Sequence, residues 1–351
     1  MDEKENEKKS ETLQKTGSGW EELSDEELLK IRICDLKLDI KNTELQSYVQ
    51  EFYDELNAKG IIFHPPTYLA DEWLVPDGEP VIGVPFFLAH LRLRKLEQKM
   101  NLDVEGETKK SFKQLLRHEA GHAFNYAYLL HKKSRWKELF GPFSKEYSDT
   151  YIYRPYSRSF VRHLDNWYAQ CHPDEDFAET FAVWLTPDAD WKNEYKGWKA
   201  LKKLEYVDKL MLNIKDKLPI IKRGEKCYSV SRLKLKLEAY YKRKRRLSQE
   251  NFPDFHDSDL EKIFSKDAVG SNIKAANLLR NYRGSILKNV SFWTGGKKFI
   301  ISRLIKDLII RCDELKLCVM YNETETVSKI TAYVTSLVMN YLVTGSFKKK
   351  K

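Results

Sequence analysis

The 351-residue sequence predicts an α+β fold, in which a domain with a small mixed sheet and one long central helix precedes a mostly helical, basic region. Three observations predict it. An apolar content of 42% in a chain this long supports a well-buried core and room for more than one domain. Short alternating or apolar runs near 31–40 and 81–88 read as strands among stretches with helical spacing. Charge divides near residue 215: residues 216–351 hold 29 Lys and Arg against 14 Asp and Glu, and since the whole chain is +9, residues 1–215 carry −6. These features suggest a disordered tail over 1–22, a folded domain over 23–215 and a basic helical region over 216–351.

The opening MDEKENEKKSETLQKTGSG has almost nothing to bury and contains no apolar segment of a secretory signal. No run reaches the ~18–20 apolar residues of a membrane span; Ile330–Val343 is too short and reads as a buried helix. The five cysteines (34, 171, 227, 312 and 318) show no C-x-x-C spacing, so free thiols and a cytoplasmic location are expected.

Ile31, Ile33, Leu36, Leu38 and Ile40 suggest a half-buried strand. Leu45, Tyr48, Val49, Phe52 and Leu56 share a helical face that stops at Gly60. Val81–Leu88 reads as a strand that Pro85 confines to an edge or a bulge. A helix is expected from Phe112 to His131, opened by a capping box at Ser111 and Gln114. Another is expected over 160–169. Pro173 at a first helical position, with Asp174, Glu175 and Asp176 behind it, opens a third that Pro187 closes.

The central helix carries RHEAGHAF. His118 and His122 stand one turn apart on one face and can grip a single metal ion, with Glu119 beside the open position as a base. The alternative for these residues is a helix with surface histidines. A zinc site needs a third protein ligand. The extension H-E-x-x-H-x-x-G-x-x-H is excluded, because its later positions are Asn125 and Tyr128. The segment EDFAE supplies Glu175 and Glu179 one turn apart on a second helix. Glu175 can reach a Zn²⁺ ion, and Glu179 can accept from the outer N–H of a ligand imidazole. Asp174 and Asp176 read as ordinary helix N-terminal acids. Arg154 and Arg158 read as exposed loop residues, His172 as part of the turn before Pro173, His163 as a solvated or core residue, and Cys171 as a buried thiol.

The pattern resembles the zincin metallopeptidases whose third ligand is a helix-borne Glu, the catalytic domain of anthrax lethal factor among them. It is closer still to a bacterial family of zinc-binding metallopeptidases. The likeness runs through RICDLKL, DEWLVPDGEPVIGVPFFLAH, LRHEAGHAFNYAYLLH, RWKELFG, HLDNWYAQCHPDEDFAETFAVWLTP and KGWKALKKLEYVDKLM, over roughly residues 31–212. It implies a zincin-like domain that hydrolyses peptide or protein substrates. It also implies a catalytic hydrogen bond from Tyr168 to the oxyanion and an edge strand at Val81–Val84 that pairs with substrate.

Two other functions compete with this one. One is a non-catalytic, zinc-stabilised binding module. In the other the basic C-terminal region, with KRKRR at 242–246 and four final lysines, binds nucleic acid or an anionic surface.

Overall fold

The computed structural model describes residues 19–102, 104–147, 153–154, 156–164, 167–246, 256–266, 273–344 and 347. The expected tail up to residue 18 and the four final lysines lie outside the described residues. Two compact units divide the chain at residues 243 and 244.

The main elements of the first unit are, in order, α1 (Glu44–Ala58), β1 (Thr67–Ala70), β2 (Ile82–Pro85), α2 (Leu91–Asn101), α3 (Lys109–Ala127), α4 (Ser134–Phe140), α5 (Pro173–Leu185), α6 (Ala200–Ile214) and the start of α7 (Leu237–Arg246), which runs past residue 243. Trp20, placed by sequence in the tail, is buried, and its Nε1 donates to Leu36 O at 3.2 Å. Residues 31–40 do not form the expected strand. Ile33 and Leu36, three apart, are buried on one side of a 3-10 turn, and only Arg32 makes a bridge, with Lys236. Alternation over so short a stretch also fits an i, i+3 pair, and here the tighter turn wins.

The sheet is small and mixed. β1 and β2 pair in parallel, Thr67 opposite Ile82 through Ala70 opposite Pro85. Antiparallel bridges flank them, Leu74 with Gly83 and Ala70 with Ser229. All of β2 is buried, and the N–H and C=O of Gly83 both bond Leu74, so that edge is already occupied at its centre. The edge strand that the resemblance implied for substrate pairing is closed at this point. Phe86–Ala89 leaves the strand as a 3-10 turn, which ends the expected strand early at Pro85.

α3 starts three residues before its expected position. Thr108 caps it in a reciprocal box with Ser111, in place of the expected Ser111 and Gln114. One face of α3 carries Lys109, Lys113 and Arg117 at helical spacing, and these meet Glu51 and Glu55 of α1; Arg117 grips the half-buried Glu55 carboxylate with two bonds of 2.7 and 2.8 Å. At the other end, Ala127 O accepts from Ile220 N and Ile221 N at 2.9 and 3.0 Å. Phe124 stacks on Phe181 of α5 with centroids 4.9 Å apart; both rings are fully buried, worth roughly 1.5–3 kcal/mol each. The helix is thus held along its length.

The helix expected over 160–169 reduces to a 3-10 turn at Tyr168–Gln170; residues 165 and 166 lie outside the described residues. Trp167 has a left-handed φ of 57°, and the Leu164 N–H goes to the Glu179 carboxylate at 2.8 Å. This tertiary bond and the left-handed turn replace a helical ladder here.

Residues 216–243 add Val230, Leu237, Tyr240 and Tyr241 to the first core. In the basic run, Lys242 and Arg243 are exposed on α7, and Lys242 pairs with Glu238 one turn back.

The second unit contains α8 (Asp257–Ile263), β3 (Phe264–Ser265), α9 (Ala275–Thr294), α10 (Lys298–Glu314), β4 (Cys318–Val319) and α11 (Glu323–Thr344). β3 and β4 form a two-residue antiparallel pair. Its core is aliphatic, built from residues such as Leu279, Ile286, Ile305, Leu308, Ile330 and Val334. Among the described residues no helix is long and apolar enough to cross a membrane.

Candidate metal centre

The site forms where α3 and α5 touch backbone to backbone. A Cβ on Gly121 would lie 2.6 Å from Ala178 Cα, so only glycine permits this approach. Gly121 lies between His118 and His122, and Ala178 between Glu175 and Glu179. The close crossing therefore brings the two pairs of side chains face to face.

His118 Nε2 lies 3.0 Å and His122 Nε2 3.3 Å from Glu175 Oε2, and the two nitrogens are 3.2 Å apart. All three side chains are buried, and their ligand atoms lie within 4.8 Å of one another, a grouping able to hold a metal ion. The outer nitrogens decide the chemistry. His118 Nδ1 meets Glu179 Oε1, and His122 Nδ1 meets Asp174 Oδ2, each at 2.8 Å. Ionised carboxylates only accept, so both imidazoles carry their proton on Nδ1. Two Nε2 lone pairs and one carboxylate oxygen then converge with no donor among them. Three acceptors in contact repel one another, and a cation relieves the repulsion; the donor set fits zinc, which in catalytic sites takes three protein ligands and a water.

Without a cation, the surrounding carboxylates favour a proton in the same place. Burial by itself lowers an imidazole's pKa, but the carboxylates of Glu175 and Glu179 outweigh it and hold His118 at about 10. His122 is raised in the same way against its own burial by Asp174 and Glu175. Protons and a metal ion therefore compete for the same nitrogens. Glu175 is held well below the usual carboxylate range by the two imidazoles, despite its burial. Glu119, 8% exposed, is raised mainly by burial, which makes it a stronger base than a solvated carboxylate.

α5 supplies the carboxylates from a helix buried on every side. Pro173 occupies its first turn, and the His172 side chain caps it by accepting from Asp174 N at 3.1 Å. Asp174 is therefore not the solvated acid expected from sequence. It accepts from His122, from Asn125 Nδ2 at 2.6 Å and from Tyr126 OH at 3.1 Å. Asp176 is buried as well, pushed up to about 7 by desolvation that Lys203, 2.6 Å away, opposes. The signal for both lay in the sequence after them: FAETFAVWL has no polar face to turn towards water.

Tyr147 is the other residue that sequence reasoning missed. Its hydroxyl donates to Glu175 Oε1 at 2.7 Å, and its ring stacks on His172 with centroids 3.9 Å apart. This bond occupies Oε1 and leaves Oε2 turned to the imidazoles. No periodicity marks a loop tyrosine, so nothing in the sequence identified it. Tyr168 is half-buried, with its ring centroid 5.6 Å from that of His118. His163 stands outside the cluster, with Nε2 on Gln114 O at 2.9 Å, and Arg158 lies over Trp198. Cys171 is buried and outside any disulfide.

Residues 95–196, which include α3, α5 and every residue of the cluster, match the family model described as "Putative zinc-binding metallo-peptidase". This agrees with the family resemblance read from the residues. No curated protein and no solved structure matches the chain.

Proposed function

We propose that the protein is a zinc-dependent metallopeptidase in which His118, His122 and Glu175 hold the metal and Glu119 is the general base. The convergence of two Nε2 lone pairs and one carboxylate oxygen, each backed by a hydrogen bond on its far side, carries this reading. Zinc there supplies Lewis acidity, polarising a carbonyl and lowering the pKa of water at the open position from ~16 towards ~7. The Glu119 carboxylate takes a proton from the attacking water and returns it to the nitrogen of the leaving amine as the C–N bond breaks. Glu179 and Asp174 fix the two imidazoles by their Nδ1–H groups, and Tyr147 fixes Glu175. Tyr168 donates to the oxyanion as the scissile carbonyl becomes tetrahedral.

A purely structural zinc site has no need of a buried carboxylate beside its first histidine, which favours catalysis over a binding module. The substrates are peptides or proteins, to be found by cleavage of a peptide library with and without chelator. In that assay Glu119→Gln keeps its zinc and loses about 10²–10⁴-fold in turnover. Full activity in the variant refutes the mechanism. Zinc-loaded wild type that cleaves nothing supports the binding-module alternative.

A further inference from the structure

The second unit is polarised along its helices. At one end α9 begins, α10 finishes and α11 begins: Ala275 N bonds Leu317 O at 2.9 Å, and Tyr282 OH bonds Glu323 at 2.9 Å. Acids gather there, with Asp313 and Glu314 closing α10, Glu323 and Glu325 opening α11, and Asp257 held by Arg311. At the other end α9 turns into α10 through Gly295, in the left-handed region at φ 65°, and Gly296, which lies against Val338 in the C-terminal half of α11. The sequence has no Asp or Glu from 268 to 306 and none after Glu325, so this end lacks acids on all three helices.

α9 ends there in Phe292 and Trp293, which are 77% and 78% exposed. Ile286, Val290 and Thr294 face the core, which turns Phe292 outward, and Trp293 is exposed in the last turn of the helix. Lys288 stands one turn before Phe292, and Lys297 and Lys298 open α10 across the glycine turn. Two large aromatics set forward, with lysines behind them in stretches of sequence without Asp or Glu, match the interface of an anionic bilayer. There the rings sit at headgroup level and the lysines meet lipid phosphates and carboxylates. The two rings meet edge-on, at 87° with centroids 5.2 Å apart, so they do not offer the parallel faces on which successive nucleic-acid bases stack.

We propose that the α9–α10 tip docks on the anionic surface of a lipid bilayer, without spanning it. This is independent of the metal centre. The test is flotation of the full chain with phosphatidylserine-containing vesicles, with neutral phosphatidylcholine vesicles and with a single-stranded oligonucleotide as separate arms. Wild type binds the anionic vesicles and releases them as salt rises. Lys288→Ala with Lys297→Ala weakens binding about 30-fold, at the strength typical of a lysine near an anionic surface. Phe292→Ser with Trp293→Ser abolishes flotation and leaves the circular dichroism spectrum unchanged, because both side chains are exposed. Flotation unchanged in the aromatic variant, equal binding to neutral vesicles, no vesicle binding, or oligonucleotide binding without vesicle binding overturns the proposal.

Discussion

The two units treat charge in opposite ways. Around α3 and α5 the first unit buries His118, Glu119, His122, Asp174, Glu175 and Glu179. In the second, no Asp, Glu, Lys or Arg is buried among the described residues, and its buried polar groups are His256, Thr294, Ser302 and Thr326. Desolvating an ion costs several kcal/mol unless its partners compensate. A fold accepts that cost where the buried groups serve one another, and in the first unit His118, His122, Asp174, Glu175 and Glu179 form a single connected set around three converging lone pairs. The second unit keeps its charges on the surface, with most acids of its three long helices at one end, several of them paired with Arg or Lys, and only basic charges at the other. Buried charge marks a chemical site, and surface charge asymmetry marks a docking face.

The comparison breaks most readily at Asp174. Replacing it with Ala removes the acceptor from His122, Asn125 and Tyr126 together. Zinc affinity should fall about 10–100-fold, measured by competition with a chelator of known strength. An unchanged affinity would mean that the buried carboxylate is structural packing.

A pair of glycines sharpens the contrast. Gly121→Ala forces a methyl against Ala178 and should cost about 1–3 kcal/mol, with weaker zinc binding, because the α3–α5 approach widens. Gly284 on α9 has open space around its Cβ direction, so Gly284→Ala should stabilise by about 0.5–1 kcal/mol. Denaturant melts of both variants read the difference; the same sign for the two would contradict it.

A smaller effect lies in acid. Arg311 holds the Asp257 carboxylate below its ordinary range through two bonds of 2.6 Å. A carboxyl whose folded pKa lies below its unfolded value adds stability above about pH 4. It loses that contribution as pH falls through the folded value. Amide protection in α10 should therefore decline below about pH 4, and Asp257→Asn should flatten the decline. An identical acid profile in the variant would assign the loss to other groups.

Much of this site was legible in the sequence because helical spacing is a strong local signal. His118 with His122 and Glu175 with Glu179 are each one turn apart, and Pro173 marks where α5 begins. What remained hidden depended on contacts between distant segments. Asp174 is one residue from Glu175, about 100° around the helix, and only burial of α5 on every side turns both towards α3. Tyr147 reaches Glu175 from a loop, across 28 residues. The failed strand at 31–40 and the failed helix at 160–169 share a cause: short patterns yield to tertiary bonds, those of Leu164 with Glu179 and of Ile33 N with Leu235 O.

Elemental analysis of the wild type beside Glu175→Ala tests the central claim most directly, with circular dichroism to establish that both are folded. The account predicts one zinc per chain in the wild type and strong depletion in the variant. Equal zinc in the two folded proteins would contradict it.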